Sequence, residues 1–200
     1  MKLGRSQPRG GGYDYNVDWS YDSGDGFQSG SSNVTGGATS PVLTAGEYIV
    51  AITGDFPRIY FNQSGDKAKI TEIVAWGTNP WTSMEGAFAG CLNLNITNLA
   101  IDEPNLTSVT SMKRMFYNTY SFNGDIGNWD VSTVENMNSM FFFAKVFNQD
   151  LSNWNTGSAI NMSRMFSQAT AFDQDLGAWD IGNVTKMQSM FLNAELSTAN

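Results

Sequence analysis

The stretch MNSMFFFAKVFNQDLSNWNTGSAI, residues 137–160, decides how the chain is read, because its pattern recurs with a fixed step. Trp129, Trp154 and Trp179 stand 25 residues apart. The same step links Met115, Met140, Met165 and Met190, and the phenylalanines after them, Phe116, Phe141, Phe166 and Phe191. It recurs at Phe122, Phe147 and Phe172 and at Asp125, Asp150 and Asp175. A period of this length marks one supersecondary unit stacked on copies of itself. The expectation is a solenoid.

Within the unit, Met137, Met140, Phe141 and Ala144 fall at i, i+3, i+4 and i+7, the apolar face of a short helix. Residues 147–154 are too short and too polar for a second helix and predict a short strand, with Phe147, Leu151 and Trp154 turned inward. Asn155-Thr156-Gly157-Ser158 then reads as a turn. One such coil cannot cover its own apolar side, so neighbouring coils must bury it. The predicted repeat core is Met115, Phe116, Phe122 and Trp129, then Met140, Phe141, Phe147 and Trp154, then Met165, Phe166, Phe172 and Trp179.

Composition narrows the function. With 11 Lys plus Arg against 19 Asp plus Glu, the net charge is −8, which argues against nucleic acid or an anionic membrane as the main partner. No histidine occurs anywhere. That removes the usual general base, the commonest metal ligand and the histidine routes to an activated nucleophile. Cys91 is the sole cysteine, so there is no internal disulfide framework. It falls where Ala144 and Ala169 fall later, a small inward position, and reads as a buried structural thiol.

Outward from the repeats, residues 1–12 hold basic residues and glycines and read as a flexible arm, with a basic docking arm as the other reading. They contain no apolar core of a secretory signal, and no later run is long enough to insert in a membrane. Residues 13–75 form the expected β-rich module. Tyr13, Tyr15, Val17 and Trp19 alternate, as do Tyr48, Val50 and Ile52, with a Gly/Ser-rich loop from Asp22 to Ser40 between them. Phe56–Phe61 and Lys69–Trp76 also look like strands. The solenoid is expected over 76–200, about four coils with the last incomplete. Its first coil is degenerate: Phe88 precedes Phe116 by 28 residues, and the return loop is longer, Asn98 to Ser108.

Two resemblances attach to these motifs. The segments VDWSYDSGDG and LTAGEYIVAITG partly resemble PKD-type immunoglobulin-like β-domains, at about half the length of a full sandwich. The run VTSMKRMFYNTYSFNGDIGNWDVSTVENMNSMF and its sequel FNQDLSNWNTGSAINMSRMF resemble the BspA-like leucine-rich-repeat surface proteins. The implied fold is α+β, a leucine-rich-repeat-type solenoid of short strand plus short helix, capped by a small β-module. The implied role is attachment on a bacterial surface or phage particle, with no catalytic residue and no cofactor. The chain shows no export signal, which leaves a removed leader or release in a virion as the expected routes outward.

Asp125, Asp150 and Asp175 are expected to cap turns rather than to hold a ladder of calcium ions, since one column offers too few oxygens. Asp22-Ser23-Gly24-Asp25-Gly26 lacks the spaced ligands of a calcium loop, and no metal is expected. Asn-x-Ser/Thr triplets at Asn33, Asn62, Asn95, Asn105, Asn161 and Asn183 are read as compositional. A two-carboxylate glycosidase would need a unique acidic pair, whereas these carboxylates are periodic. The side chains that packing leaves over are aromatic: Phe142 and Phe143, with Tyr117 before and Leu192 after, would form an interrupted stripe for a partner. The alternative is that Phe142 leans between coils as core. The expected protein is a non-enzymatic display or attachment protein, meeting a protein or glycan on a cell or virion surface, copies of itself or neighbouring subunits. A structural virion component is the second expectation and a carbohydrate-active enzyme the third. The last coil stops after Ala194, so residues 187–194 are expected to lie over the third coil as a lid.

Overall fold

The computed structural model describes residues 14–22, 27–35, 49–54, 56, 58–96 and 102–196. The arm 1–12, residues 23–26, the start of the return loop at 98–101 and the final residues 197–200 lie outside them.

The 25-residue step is built from backbone hydrogen bonds. Along 137–144 the N–H groups alternate in direction. Met137, Ser139, Phe141 and Phe143 donate to the following segment, at the carbonyls of Asn161, Ser163, Met165 and Ser167. Met140, Phe142 and Ala144 instead donate three residues back, to Met137, Ser139 and Phe141. The same alternation runs through 112–119 and 162–169. Every second amide therefore ties one segment to the next, and the others close tight turns. Single parallel bridges, Ser111 with Asn136, Asn136 with Asn161 and Asn161 with Lys186, lead into these ribbons. The ribbon at 84–91 joins the next with an offset of three more residues: Phe88 donates to Met115, where Phe116 donates to Met140. That is the longer first return.

The ribbons differ from the expected helix. Residues 138–143 are consecutive turns, and Ser139 and Phe143 have φ of 55° and 60°. An α-helix keeps every amide within its own segment; here a left-handed residue at every fourth position reverses the chain and frees alternate amides for the neighbour. Spacing alone could not separate the two, because a four-residue turn repeat and a helix both place apolar residues at i, i+3, i+4 and i+7.

The strand expected at 147–154 is likewise absent, and the parallel bridges fall at 111, 136, 161 and 186 instead. Among the described residues, Phe56–Phe61 holds no strand, and Lys69–Trp76 carries only the end of the 3-10 turn Lys67–Lys69 and a bridge from Glu72 to Asn95. Toward the N-terminus three strands form an antiparallel sheet in the order β2-β1-β3, with β1 Asp14–Asp22, β2 Phe27–Thr35 and β3 Ile49–Gly54. β2 occupies the segment read as loop. Its glycine and serines have weak strand propensity, and pairing along β1 outweighs it.

The core is a double column of rings. Phe116, Phe141, Phe166 and Phe191 stack at 5.7, 5.4 and 5.7 Å between centroids. Phe122, Phe147 and Phe172 stack beside them at 5.7 and 6.0 Å, each lying within about 4 Å of its partner in the first column. All are fully buried except Phe191, which is half-buried. Burying each ring stabilises by roughly 1.5–3 kcal/mol, and each stacked pair adds about 0.5–1.5 kcal/mol. Trp154 and Trp179 donate their indole N–H one coil back, to the carbonyls of Ile126 and Leu151, at 3.0 and 2.9 Å. Ile52 of β3 packs against the edge of the buried core. The ribbon at 187–194 lies against 162–169 through the bonds that Arg164, Phe166 and Gln168 donate to it.

Candidate functional site

The ribbon geometry decides which side chains reach the surface and how. Left-handed residues recur at two columns: Gly86, Arg114, Ser139, Arg164 and Ser189, and Gly90, Asn118, Phe143, Gln168 and Asn193. Glycine and asparagine suit this conformation. A phenylalanine does not, and Phe143 holds it at a cost of about 1–2 kcal/mol. Strain of this kind directs attention to the side chain that incurs it.

Phe143 belongs to an aromatic cluster on the outer face. Tyr117 and Phe142 stack across adjacent ribbons at 4.9 Å, with planes 8° apart. Phe142 meets Phe143 edge-on at 4.9 Å, and Phe143 meets Tyr120 at 6.4 Å. Tyr117, Phe142 and Phe143 are half-buried and Tyr120 is 43% exposed. Two cations frame the rings: the Lys145 ammonium lies 4.7 Å above Phe143 and the Arg114 guanidinium 5.1 Å from Tyr117. Cation–π attraction at such sites is worth roughly 0.5–1 kcal/mol. Tyr117, Phe142 and Phe143 therefore each have a face taken by a neighbouring ring or a cation.

The structure brings Tyr117, Phe142 and Phe143 together, but Leu192 stands apart. Between Phe142 and Leu192 the column holds Ser167, which is buried and donates its hydroxyl to the Leu192 carbonyl at 3.3 Å. Leu192 itself is 53% exposed. Tyr120, Arg114 and Lys145 complete the site, and charge placement is the signal that finds the two cations. Residues 111–121, 136–146 and 161–171 carry Lys113, Arg114, Lys145 and Arg164 and no carboxylate. Residues 122–135, 147–160 and 172–185 carry Asp125, Asp130, Glu135, Asp150, Asp173, Asp175 and Asp180 and no Lys or Arg. An acidic chain thus gathers positive charge around its surface rings. Lys113 pairs with Glu85 at 3.4 Å, whereas Arg114, Lys145 and Arg164 have no ion pair among the described residues.

The acidic returns are knit by short-range capping. Asp125, Asp150 and Asp175 each accept the amide two residues on, from Gly127, Ser152 and Gly177, at 3.1, 2.8 and 2.8 Å. Asp130, Asn155 and Asp180 repeat the device at 3.1, 3.2 and 2.9 Å. The amide of Ser152, then its hydroxyl, holds the Asp150 carboxyl below its ordinary value. For Asp130 the Ser132 hydroxyl leads and its amide follows. A third column ties coils together, with Asn123 accepting from the Asn148 amide and Asn148 from the Asp173 amide, both at 2.9 Å. Among the described residues no three Asp, Glu or Cys side chains gather as a metal cluster. Cys91 is buried, and burial pushes its thiol up to about 12 against the weaker opposite pull of the Lys67 charge.

Residues 82–200 match the family described as "Mycoplasma protein of unknown function, DUF285". That span is more than half of the chain, and the chain belongs to this family. The PKD-like segments fall before the matched span. Neither a curated protein nor a solved structure matches the chain.

Proposed function

We propose that this member of the DUF285 family is a non-enzymatic surface protein of the BspA-like kind, an attachment module whose repeat solenoid displays a partner site. The observation that carries the reading is the cluster of Tyr117, Tyr120, Phe142 and Phe143 on the outer face of the ribbons. Aromatic and arginine side chains dominate the binding energy of protein interfaces. Phe143 adds weight, because an asparagine there would relieve its backbone. The repeated polar side chains support a non-catalytic role: the carboxylates of Asp125, Asp150 and Asp175 serve turn amides in phase rather than forming one unique pair. A place at the cell exterior follows from the same reading. Among the described residues no helix is long and apolar enough to cross a membrane, so attachment there would be through another segment or a partner.

The reading is tested by binding of the fluorescently labelled chain to a panel of cultured cell surfaces. Phe142→Ser, which introduces the residue found at the equivalent Ser167, should reduce binding at least tenfold while the thermal transition is kept. Undiminished binding by that variant would remove the site from the account.

A further inference from the structure

We propose that the aromatic cluster takes an acidic polypeptide segment, its carboxylates set against Arg114, Lys145 and Arg164 and an apolar anchor set against the ring edges; this rests on the attachment reading above and names the partner's class. Two independent observations lead there. The first is charge segregation. Every Lys and Arg of residues 111–185 lies within 111–121, 136–146 or 161–171, and every Asp and Glu of that span lies in the returns between and after them. Lys113 is already paired with Glu85, but the cations nearest the rings have no carboxylate among the described residues. The face is built to meet negative charge that the chain does not itself supply.

The second observation is ring orientation. Tyr117 and Phe142 lie 8° from parallel at 4.9 Å, so each covers a face of the other, and Lys145 stands over a face of Phe143. A nucleobase stacks on a free ring face, and one face of each of Tyr117, Phe142 and Phe143 is already taken. Ring edges carry the positive part of the ring quadrupole and suit carboxylate oxygens and aliphatic side chains. Arg114 and Arg164 repeat one position two coils apart, with Ser139 between them. Carboxylates two to four residues apart along an extended segment, at roughly 3.3 Å per residue, can reach both.

The probe is a library of acidic dodecapeptides with one central Phe, Tyr or Leu, measured against a matched library in which Asp and Glu become Asn and Gln. Polygalacturonate and single-stranded DNA serve as polyanion controls. The expected result is binding of acidic peptides over neutral ones by at least tenfold, weakening with salt. Arg114→Glu with Lys145→Glu should abolish it, and Phe143→Asn, which keeps the fold because asparagine suits that backbone, should weaken it at least fivefold. Equal binding of all polyanions, unmoved by Phe143→Asn, would mean charge alone and would overturn the proposal. Cell-surface binding that depends on Phe142 but survives the charge reversals would overturn the acidic class and leave the attachment reading standing. Binding that ignores both sets of variants would end both.

Discussion

The ribbons at 137–144 and 187–194 follow nearly the same pattern, Met-x-Ser-Met-Phe, in different surroundings. Met137 is fully buried and Met187 is 39% exposed. Phe141 is sealed between Phe116 and Phe166, whereas Phe191 has Phe166 on one side only. In the returns, Val131 and Thr156 are 1% exposed, and Ile181 at the same position is 54% exposed. The amides of Ser139, Phe141 and Phe143 reach the next segment, while those of Ser189, Phe191 and Asn193 find no backbone acceptor among the described residues. Burial here belongs to a coil's neighbours rather than to its sequence, as expected where stability is a sum of repeat and interface terms.

The sharpest way to break that comparison is one substitution made twice. Phe141→Ala removes a ring stacked on both sides and should cost about 3–5 kcal/mol. Phe191→Ala removes a half-buried ring with one stacked neighbour and should cost about 1–2 kcal/mol. Urea unfolding monitored by tryptophan fluorescence measures both, and equal costs would mean that coil position does not set burial.

A smaller effect of opposite sign is expected at the left-handed column. Phe143→Asn copies Asn118 and Asn193 and should stabilise the chain by about 1 kcal/mol, while Asn193→Phe should destabilise it by a similar amount. Losing stability at position 143 would show that the ring contributes more to packing than its backbone costs.

The least effect is electrostatic. Asp130 and Asp150 have carboxyls held below their ordinary value by hydrogen bonds from Ser132 and Ser152. Their folded-state pKa lies below the unfolded one, so their contribution is complete above the ordinary carboxylate pKa of about 3.9. It is lost as pH falls through the lower folded value. The urea midpoint should decline slightly below pH 4, and Asp130→Asn with Asp150→Asn should flatten that decline.

The repeat was legible because Trp129, Trp154, Trp179 and the two phenylalanine columns keep their step, and that step is the one the hydrogen-bond ladder follows. The local conformation was not. Met137, Met140, Phe141 and Ala144 satisfy a helical stripe, and only the glycines and asparagines at 86, 90, 118 and 193 hint at left-handed turns. β2 was hidden because its pairing is supplied by β1 rather than by its own residues. At the surface, the in-phase reading of Tyr117 and Phe142 found the stacked pair. It also extended the stripe to Leu192, past a serine that turns inward. Tyr120, Arg114 and Lys145 escaped notice because they sit outside the column of Tyr117 and Phe142, Tyr120 and Lys145 in one column and Arg114 in another, and only the turn geometry brings them beside the same rings.

Amide hydrogen exchange tests the account most directly, because it reads the alternating ladder one residue at a time. In 137–144 and 162–169, the amides directed to the next coil, such as Ser139, Phe141, Arg164 and Phe166, should be protected to near the global unfolding limit. In 187–194, Ser189, Phe191 and Asn193 should exchange orders of magnitude faster than those equivalents. Uniform protection across all three ribbons, or protection in 187–194 matching a continuous helix, would contradict it.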